Sequence, residues 1–490
     1  MRSLRRSLRL WDFYHPAMPG FLWLPLLALA VANWLPGLPA SYAIDETGSF
    51  QLASAGPLEA FRRAVQHSPQ SPLYHLILAC FLWPIESPYR EMVSRLPSLA
   101  GLAGATWMIY RAGERWIARG AGATAALIFA TIPGVAVIGV QTRHYGLLWF
   151  AATGYLWFFW SWMAEGRRRD FWLSRLLLLI GISLNLMAGL LLAVDLLNVV
   201  LRRRFSLRYA GLTAGAAALA LWPQVLKSRE TVTAVGGWRY HHLFPHNIWN
   251  FDGQLPLRLT VGLLLCWVAA RLIWPRVSRR VRSTEAWRVF LVTWLMVIPG
   301  ALALADLRMD AWLMRYLLLA SPALVLLAGD AFARLAASAR VAALAPPLLA
   351  VLLSGRLLAP GGAQDFRQGA ETVLDLSLYE TSPLLVPSWF VEAQVADAQA
   401  LYARHPALYG HLAAYPVPNP IFALPVWYSE RLVPPALERL LDGPLKDHKR
   451  VLVALTPWPP WFRRTFEARG WRTRLHAVER GLYIAECTRE

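Results

Sequence analysis

Apolar runs of roughly 17–21 residues alternate with short basic loops along the first three quarters of the chain, the length a helix needs to cross a bilayer. The runs fall at 20–38, 96–110, 120–140, 145–163, 209–226, 256–274, 289–304, 312–331 and 341–358. The stretch 172–201 has basic clusters at both ends and is read as two short spans turning near 185–189, because one long span would carry Arg202, Arg203 and Arg204 to the far side. The pattern predicts about eleven spans. Arg2, Arg5, Arg6 and Arg9 precede the first run, which places the N-terminus in the cytoplasm and the C-terminus outside. A cleavable signal peptide is the rival reading of that start, but its apolar stretch is long for one, and it is read as a retained span.

Two helical pieces interrupt the long external loop at 39–94. Leu58, Phe61 and Val65 share a helical face opposite Arg62 and Arg63, which predicts a helix lying in the membrane interface. The apolar stretch 72–83 is too short to span and is read as a second surface or half-buried helix. Beyond Pro360-Gly361-Gly362 the pattern changes to alternating helix and strand. Helical patterns at 366–376, 391–402 and 434–441 lie among strand-like stretches at 383–386, 450–455 and 482–487. The fold class expected is thus a polytopic α-helical membrane protein over 1–358 with a small extracytoplasmic α/β domain over 359–490.

Composition agrees. Of 490 residues, 56% are hydrophobic and 16% charged, against about a quarter charged in soluble domains. The net charge of +19 comes from arginines in short loops and does not call for nucleic acid. Cys80, Cys266 and Cys487 make neither a metal-ligand spacing nor a disulfide framework. His241, His242 and His246 fit no standard ligand pattern either. Asp195 and Asp330 lie within apolar runs near their cytoplasmic ends, where pairing with nearby arginines, Arg202 and Arg334, or snorkelling is expected ahead of a proton relay.

The candidate chemistry starts at Asp45-Glu46, just past the first apolar run on its outer side. Glycosyl transfer from a phosphate-linked donor needs one base for the acceptor hydroxyl, and cations for the departing phosphate. Arg143 and Arg315, at outer ends of predicted spans, suit the phosphate, because arginine grips it in a two-pronged fork. Arg239 and Arg308 are weaker candidates in the same region.

Asp45-Glu46, Ser71-Pro72-Leu73-Tyr74-His75, Arg95-Leu96-Pro97-Ser98, Arg143-His144-Tyr145, Arg315-Tyr316-Leu317-Leu318 and Gln364-Asp365-Phe366-Arg367-Gln368-Gly369-Ala370 occur in that order. This series resembles the GT-C integral-membrane glycosyltransferases, in particular the bacterial branch of glycosyltransferase family 39. That branch includes protein O-mannosyltransferases and the lipid A aminoarabinose and galacturonosyl transferases. The resemblance covers nearly the whole chain. It implies a polyprenyl-phosphate sugar as donor and inversion at the anomeric carbon, with Asp45 as base or acceptor-orienting group and Glu46 in support. Arg143, Tyr145, Arg315, Tyr316, Tyr74 and His75 are the substrate-binding residues expected. The acceptor is a lipid, a glycan or a protein, and the protein is expected in the cytoplasmic (inner) membrane. No cofactor is called for, and a divalent metal is left open as an alternative. The chain departs from the family at Gln141, where a carboxylate often stands, and at Gln70-Ser71, where a cation often precedes the Pro-Leu-Tyr core. Two other function classes are a carrier of a lipid-linked intermediate and a non-catalytic envelope protein of the same fold. A carrier would show polar residues along a mid-membrane path and often an internal repeat, and neither is found.

Overall fold

The computed structural model describes residues 34–67, 72–82, 89–118, 120–201, 285–309, 318–338, 365–388, 395–426, 431–455, 460–478 and 482–489, with a few single positions between them. The expected spans at 209–226, 256–274 and 341–358, and most of 20–38, lie outside them.

Three short helices fill the first loop: Ile44–Ala53, Pro57–His67 and Pro72–Leu82. The second has the predicted two faces. Leu58, Phe61 and Val65 are exposed on one side, while Glu59 bridges Arg62 and Arg63 on the other. The third buries Tyr74, His75, Leu78, Ala79 and Leu82, which makes it a packed helix.

Helix Arg90–Trp116 follows and pairs with Tyr145–Glu165. Small residues bring their backbones together. A Cβ on Gly146 would lie 1.9 Å from the Ser98 carbonyl oxygen, and one on Gly101 would lie 2.5 Å from Gly146 carbonyl carbon. Only glycine permits that approach, which helices use to pack without large side chains. Between them, the run 120–140 is two helices, Ala121–Thr131 and Pro133–Gly139, because Pro133 ends the first and opens the second. The expected turn in 172–201 is present. Arg168–Leu184 ends at Asn185, a short turn Leu186–Gly189 follows, and Leu190–Leu201 resumes. Glu285–Met309 and Ser321–Ser338 complete the described bundle. Its core is aromatic, with Trp34, Trp149, Tyr155, Phe159, Phe290 and Trp294 fully buried.

No helix among the described residues is both long and apolar enough to cross a membrane, and the expected count of eleven spans is not confirmed. Composition explains two cases. Tyr145–Glu165 has Trp, Tyr and Gly through its length, and Arg90–Trp116 carries charges at both ends and Gly, Ala and Ser between. The break at Pro133 shortens a third.

The two buried aspartates are paired, though not with the arginines expected from sequence. Asp195 binds Arg175 and Asp330 binds Arg288, each from a neighbouring helix. Arg202 and the side chain of Arg334 lie outside the described residues.

The C-terminal part is a five-stranded sheet in the order β2-β1-β3-β5-β4, formed by β1 Leu384–Ser388, β2 Ile421–Val426, β3 Arg450–Leu455, β4 Arg472–Ala477 and β5 Tyr483–Thr488. β1 runs parallel to β2 and β3, and β5 runs antiparallel to β3 and β4. Helix Phe366–Leu376 starts as predicted, with the Asp365 side chain accepting from the Gln368 amide. β2 and β4 were not legible in the pattern. The first contains Pro425, and the second is a polar edge strand reading Arg-Thr-Arg-Leu-His-Ala. The predicted helix at 391–402 is shorter, Ala398–Arg404.

The sheet unit sits on the first loop. Gly410 meets helix Ile44–Ala53 so closely that a Cβ there would lie 2.6 Å from the Thr47 carbonyl oxygen.

Candidate active site

Asp45 and Glu46 occupy the first turn of Ile44–Ala53, where the helix dipole favours acids. Being adjacent, they point in different directions and meet different surroundings.

Glu46 is fully buried. Its Oε2 accepts the amide of Ala43 at 2.7 Å, the return half of a capping box that Ala43 cannot complete. Its carboxylate also takes a two-pronged grip from Arg95, Nε at 2.9 Å and Nη2 at 2.8 Å, and the amide of Thr142 donates to Oε1 at 2.6 Å. Arg95 spends its remaining donors on the backbone, reaching the carbonyls of Gly37, Leu38 and Ala40 through Nη1 and of Ser41 through Nη2. Four donors thus occupy both oxygens of Glu46, which ties helix Ile44–Ala53 to the turn at 141–144.

That turn delivers Arg143. The Arg143 amide bonds the Gln141 carbonyl, its own carbonyl takes the Ser98 hydroxyl, and its side chain returns to Asp45. Arg143 Nη1 donates to Asp45 Oδ2 at 2.5 Å, across 98 positions of sequence. The arginine side chain is 8% exposed and the aspartate 33%, so the pair opens outward on the carboxylate side. The guanidinium carbon lies 5.0 Å from the centre of the Tyr145 ring. Arg143 Nε is buried and finds no hydrogen-bond partner among the described residues.

Aromatic rings close the inner side. Tyr145 lies 4.4 Å from His144, His144 6.0 Å from Tyr74, and Tyr74 5.6 Å from His75, centre to centre. Asn185, at the break in the helix pair, spends its side-chain oxygen on the Met187 amide and offers its NH2 to His144 Nε2 at 2.7 Å. Burial pushes the Tyr74 phenol well above its usual range, so it stays protonated.

Asp45, Glu46, Arg143, Tyr145, Tyr74 and His75, all expected at the site from sequence, lie in one region of the structure. Tyr74 and His75 are wholly buried, so they back the site. Arg315, Tyr316 and Arg239 lie outside the described residues, as does the side chain of Arg308. Among the described residues no group of three His, Cys, Asp or Glu side chains is arranged to hold a metal ion.

Several residues were missed. Tyr42 donates its hydroxyl to Ser94 at 3.0 Å, and Ser94 shares a hydrogen bond with Thr142 at 2.7 Å. Glu91, Tyr415 and Arg367 meet at the edge of the sheet unit. Arg367 and Arg95 stood in quoted motifs but carried no assigned task. Nothing in the local pattern marks Tyr42, Ser94, Thr142, Glu91 or Tyr415, since their partners are distant in sequence. A separate cavity of about 40 Å³ lies in the sheet unit, lined mainly by apolar side chains with His411 and Tyr415 among them. It holds no acid–cation pair.

No family model matches the chain, and no curated protein matches it. Solved structures do. The chain is similar to ArnT from Cupriavidus metallidurans bound to undecaprenyl phosphate, at 14% identity and a TM-score of 0.55, over 96% of this chain and 98% of that one. The apo structure of the same protein gives 14% identity and 0.54, over 95% and 98%. A weaker likeness, 11% identity with a TM-score of 0.46 over 94% of this chain and 74% of that one, is to the oligosaccharyltransferase AglB from Archaeoglobus fulgidus. The chain has the fold of these ArnT structures, which is the GT-C fold.

Proposed function

We propose that the protein is a membrane glycosyltransferase that moves a monosaccharide, a hexosyl or pentosyl unit, from a polyprenyl-phosphate donor to an extracytoplasmic acceptor, with inversion. One observation carries this reading: a half-open carboxylate, Asp45, is held on a buried arginine, Arg143, by partners that are themselves locked. The ArnT fold neighbour binds undecaprenyl phosphate, which supports a lipid phosphate as the ligand of Arg143.

In the proposed reaction the phosphate of the donor takes Arg143, which has a spare buried Nε, and Asp45 is released to face the acceptor. Asp45 accepts the hydroxyl proton as the acceptor oxygen attacks C1 from the side opposite the phosphate. The C1–O bond breaks and its electron pair leaves on the phosphate, whose growing charge Arg143 stabilises. Tyr145 braces the guanidinium. Residues 1–358 form the membrane part in this reading, and residues 359–490 an extracytoplasmic unit, on the inner membrane.

The exposed apolar side chains Trp107, Tyr110, Trp172 and Leu176 on the outside of the bundle suit a lipid surrounding. A carrier has no comparable support, since the intrahelical charges described are paired.

The test is Asp45→Asn in isolated membranes, with transfer measured from polyprenyl-phosphate monosaccharides to extracted envelope glycolipids and proteins. The turnover should fall by about 10²–10⁴, the usual worth of a general base. Undiminished turnover overturns the assignment.

A further inference from the structure

The hydroxyl of Tyr415, from the sheet unit, is a three-way junction. It accepts the amide of Tyr42 at 2.9 Å and the hydroxyl of Ser41 at 3.3 Å, and it donates to Glu91 Oε1 at 2.5 Å. Arg367, also from the sheet unit, closes the same corner. Its amide donates to the Ser41 hydroxyl at 3.2 Å, its guanidinium to the Pro39 carbonyl at 2.9 Å, and it pairs with Glu91. Tyr42 stands three positions before Asp45. Its own hydroxyl leads through Ser94 to Thr142, whose amide holds Glu46 and whose neighbour is Arg143. Hydrogen bonds joined by short stretches of chain thus link residue 415 to Glu46 and Thr142, the sequence neighbours of Asp45 and Arg143.

The backbone of 37–41 has no helix or strand of its own beyond the turn Leu35–Gly37, and its carbonyls are held by Arg95. At Tyr42 the grip passes to a side chain that arrives from the far end of the sequence. Gly410 resting on Thr47 fixes how close that unit comes.

We propose that Tyr415 is a positioning residue for the transfer reaction, through which the C-terminal sheet unit sets the place of Asp45 relative to Arg143. The unit is then part of the catalytic machinery at one atom, whatever else it does for the acceptor. Glu91 orients the phenol by accepting its hydrogen bond, and Arg367 holds Glu91.

This inference rests on the glycosyltransferase reading for its kinetic readout only. The experiment compares the full chain with Tyr415→Phe, in lipid nanodiscs, by hydrogen–deuterium exchange and by transfer kinetics from a polyprenyl-phosphate monosaccharide. Removing one hydroxyl should speed exchange in peptides covering 41–47 about tenfold, the worth of one lost hydrogen bond to a backbone amide. Peptides covering 460–478 should be unchanged. The kcat should fall about tenfold while KM for the donor stays within about twofold, since Arg143 remains in place. Glu91→Gln, which keeps an acceptor for the phenol, should retain most of the kcat that Glu91→Leu loses. Unchanged exchange at 41–47 with unchanged kcat overturns the inference and leaves the glycosyltransferase reading intact. Faster exchange across both segments also overturns it, because the phenol then merely stabilises the fold. An inactive wild type whose variant shows the local exchange change overturns the functional reading while upholding the positional link.

Discussion

Arg175 sits among the rings of Tyr155, Phe159 and Phe171 and holds both oxygens of Asp195, with the Tyr155 hydroxyl adding a third bond at 3.1 Å. Arg143 also lies against a ring, Tyr145, but meets Asp45 through one nitrogen and leaves a third of the aspartate exposed. Both arginines are buried and both have an acid. The difference lies in what is left over. In the bundle nothing is left over, and the pair does what buried pairs do best, fixing how helices register. At the loop the aspartate stays one-third exposed and the Arg143 Nε finds no hydrogen-bond partner among the described residues. Glu46, next to Asp45, belongs with the closed kind. Neighbouring acids in one helical turn thus meet opposite surroundings.

Breaking the closed pairs should produce the largest effects. Asp195→Ala leaves Arg175 charged and buried, at a cost of about 3–5 kcal/mol of stability, and Glu46→Ala does the same to Arg95. Denaturant unfolding should show both losses. Transfer kinetics per folded molecule should separate them, with Asp195→Ala near wild type and Glu46→Ala impaired, because only the latter frees the turn at 141–144. Equal kinetic damage from both would erase the contrast between the two pairs.

Gly410→Ala comes next. The added methyl meets the Thr47 carbonyl and must push the sheet unit off the loop, at about 1–3 kcal/mol. Its kinetic signature should resemble that of Tyr415→Phe.

The sheet unit carries its own pH dependence. Burial among apolar side chains lowers the pKa of His411 to about 3, against an ordinary value of 6.5. A histidine held neutral contributes fully above pH 6.5, and its contribution is lost as pH falls towards 3. At pH 5 the loss is about 2 kcal/mol, and His411→Leu should flatten that part of the stability profile. The smallest effect belongs to Arg469, whose pairs with Asp442 and Glu438 lie at the surface, so Arg469→Ala should leave both unfolding and kinetics unaltered.

What could be read in the sequence follows from how local each signal is. Asp45-Glu46 and Arg143 stood out because charge beside an apolar run is costly and therefore conspicuous. The break near 185–189 showed through charge alternation, and its consequence, Asn185 turned towards His144, did not. The split of the two carboxylates was invisible, since it depends on Arg95 and Thr142 arriving from elsewhere. The break at Pro133 was a local signal that the length of the apolar run hid. β1, β3 and β5 read clearly as apolar strands, while β4, at the edge, offered a polar face. Tyr415 was unreadable in principle, because an ordinary tyrosine acquires its task only from a loop more than 300 residues away.

The corner where residues 41, 42, 91, 367 and 415 meet also orders events during synthesis. Asp45 leaves the ribosome early, but the side chains that fix it are spread across almost the entire message, and the last of them comes near its end. A nascent or prematurely terminated product lacking residue 415 would carry the acid without its final anchor. Incomplete copies would lack the corner that ties residues 41 and 42 to residues 367 and 415.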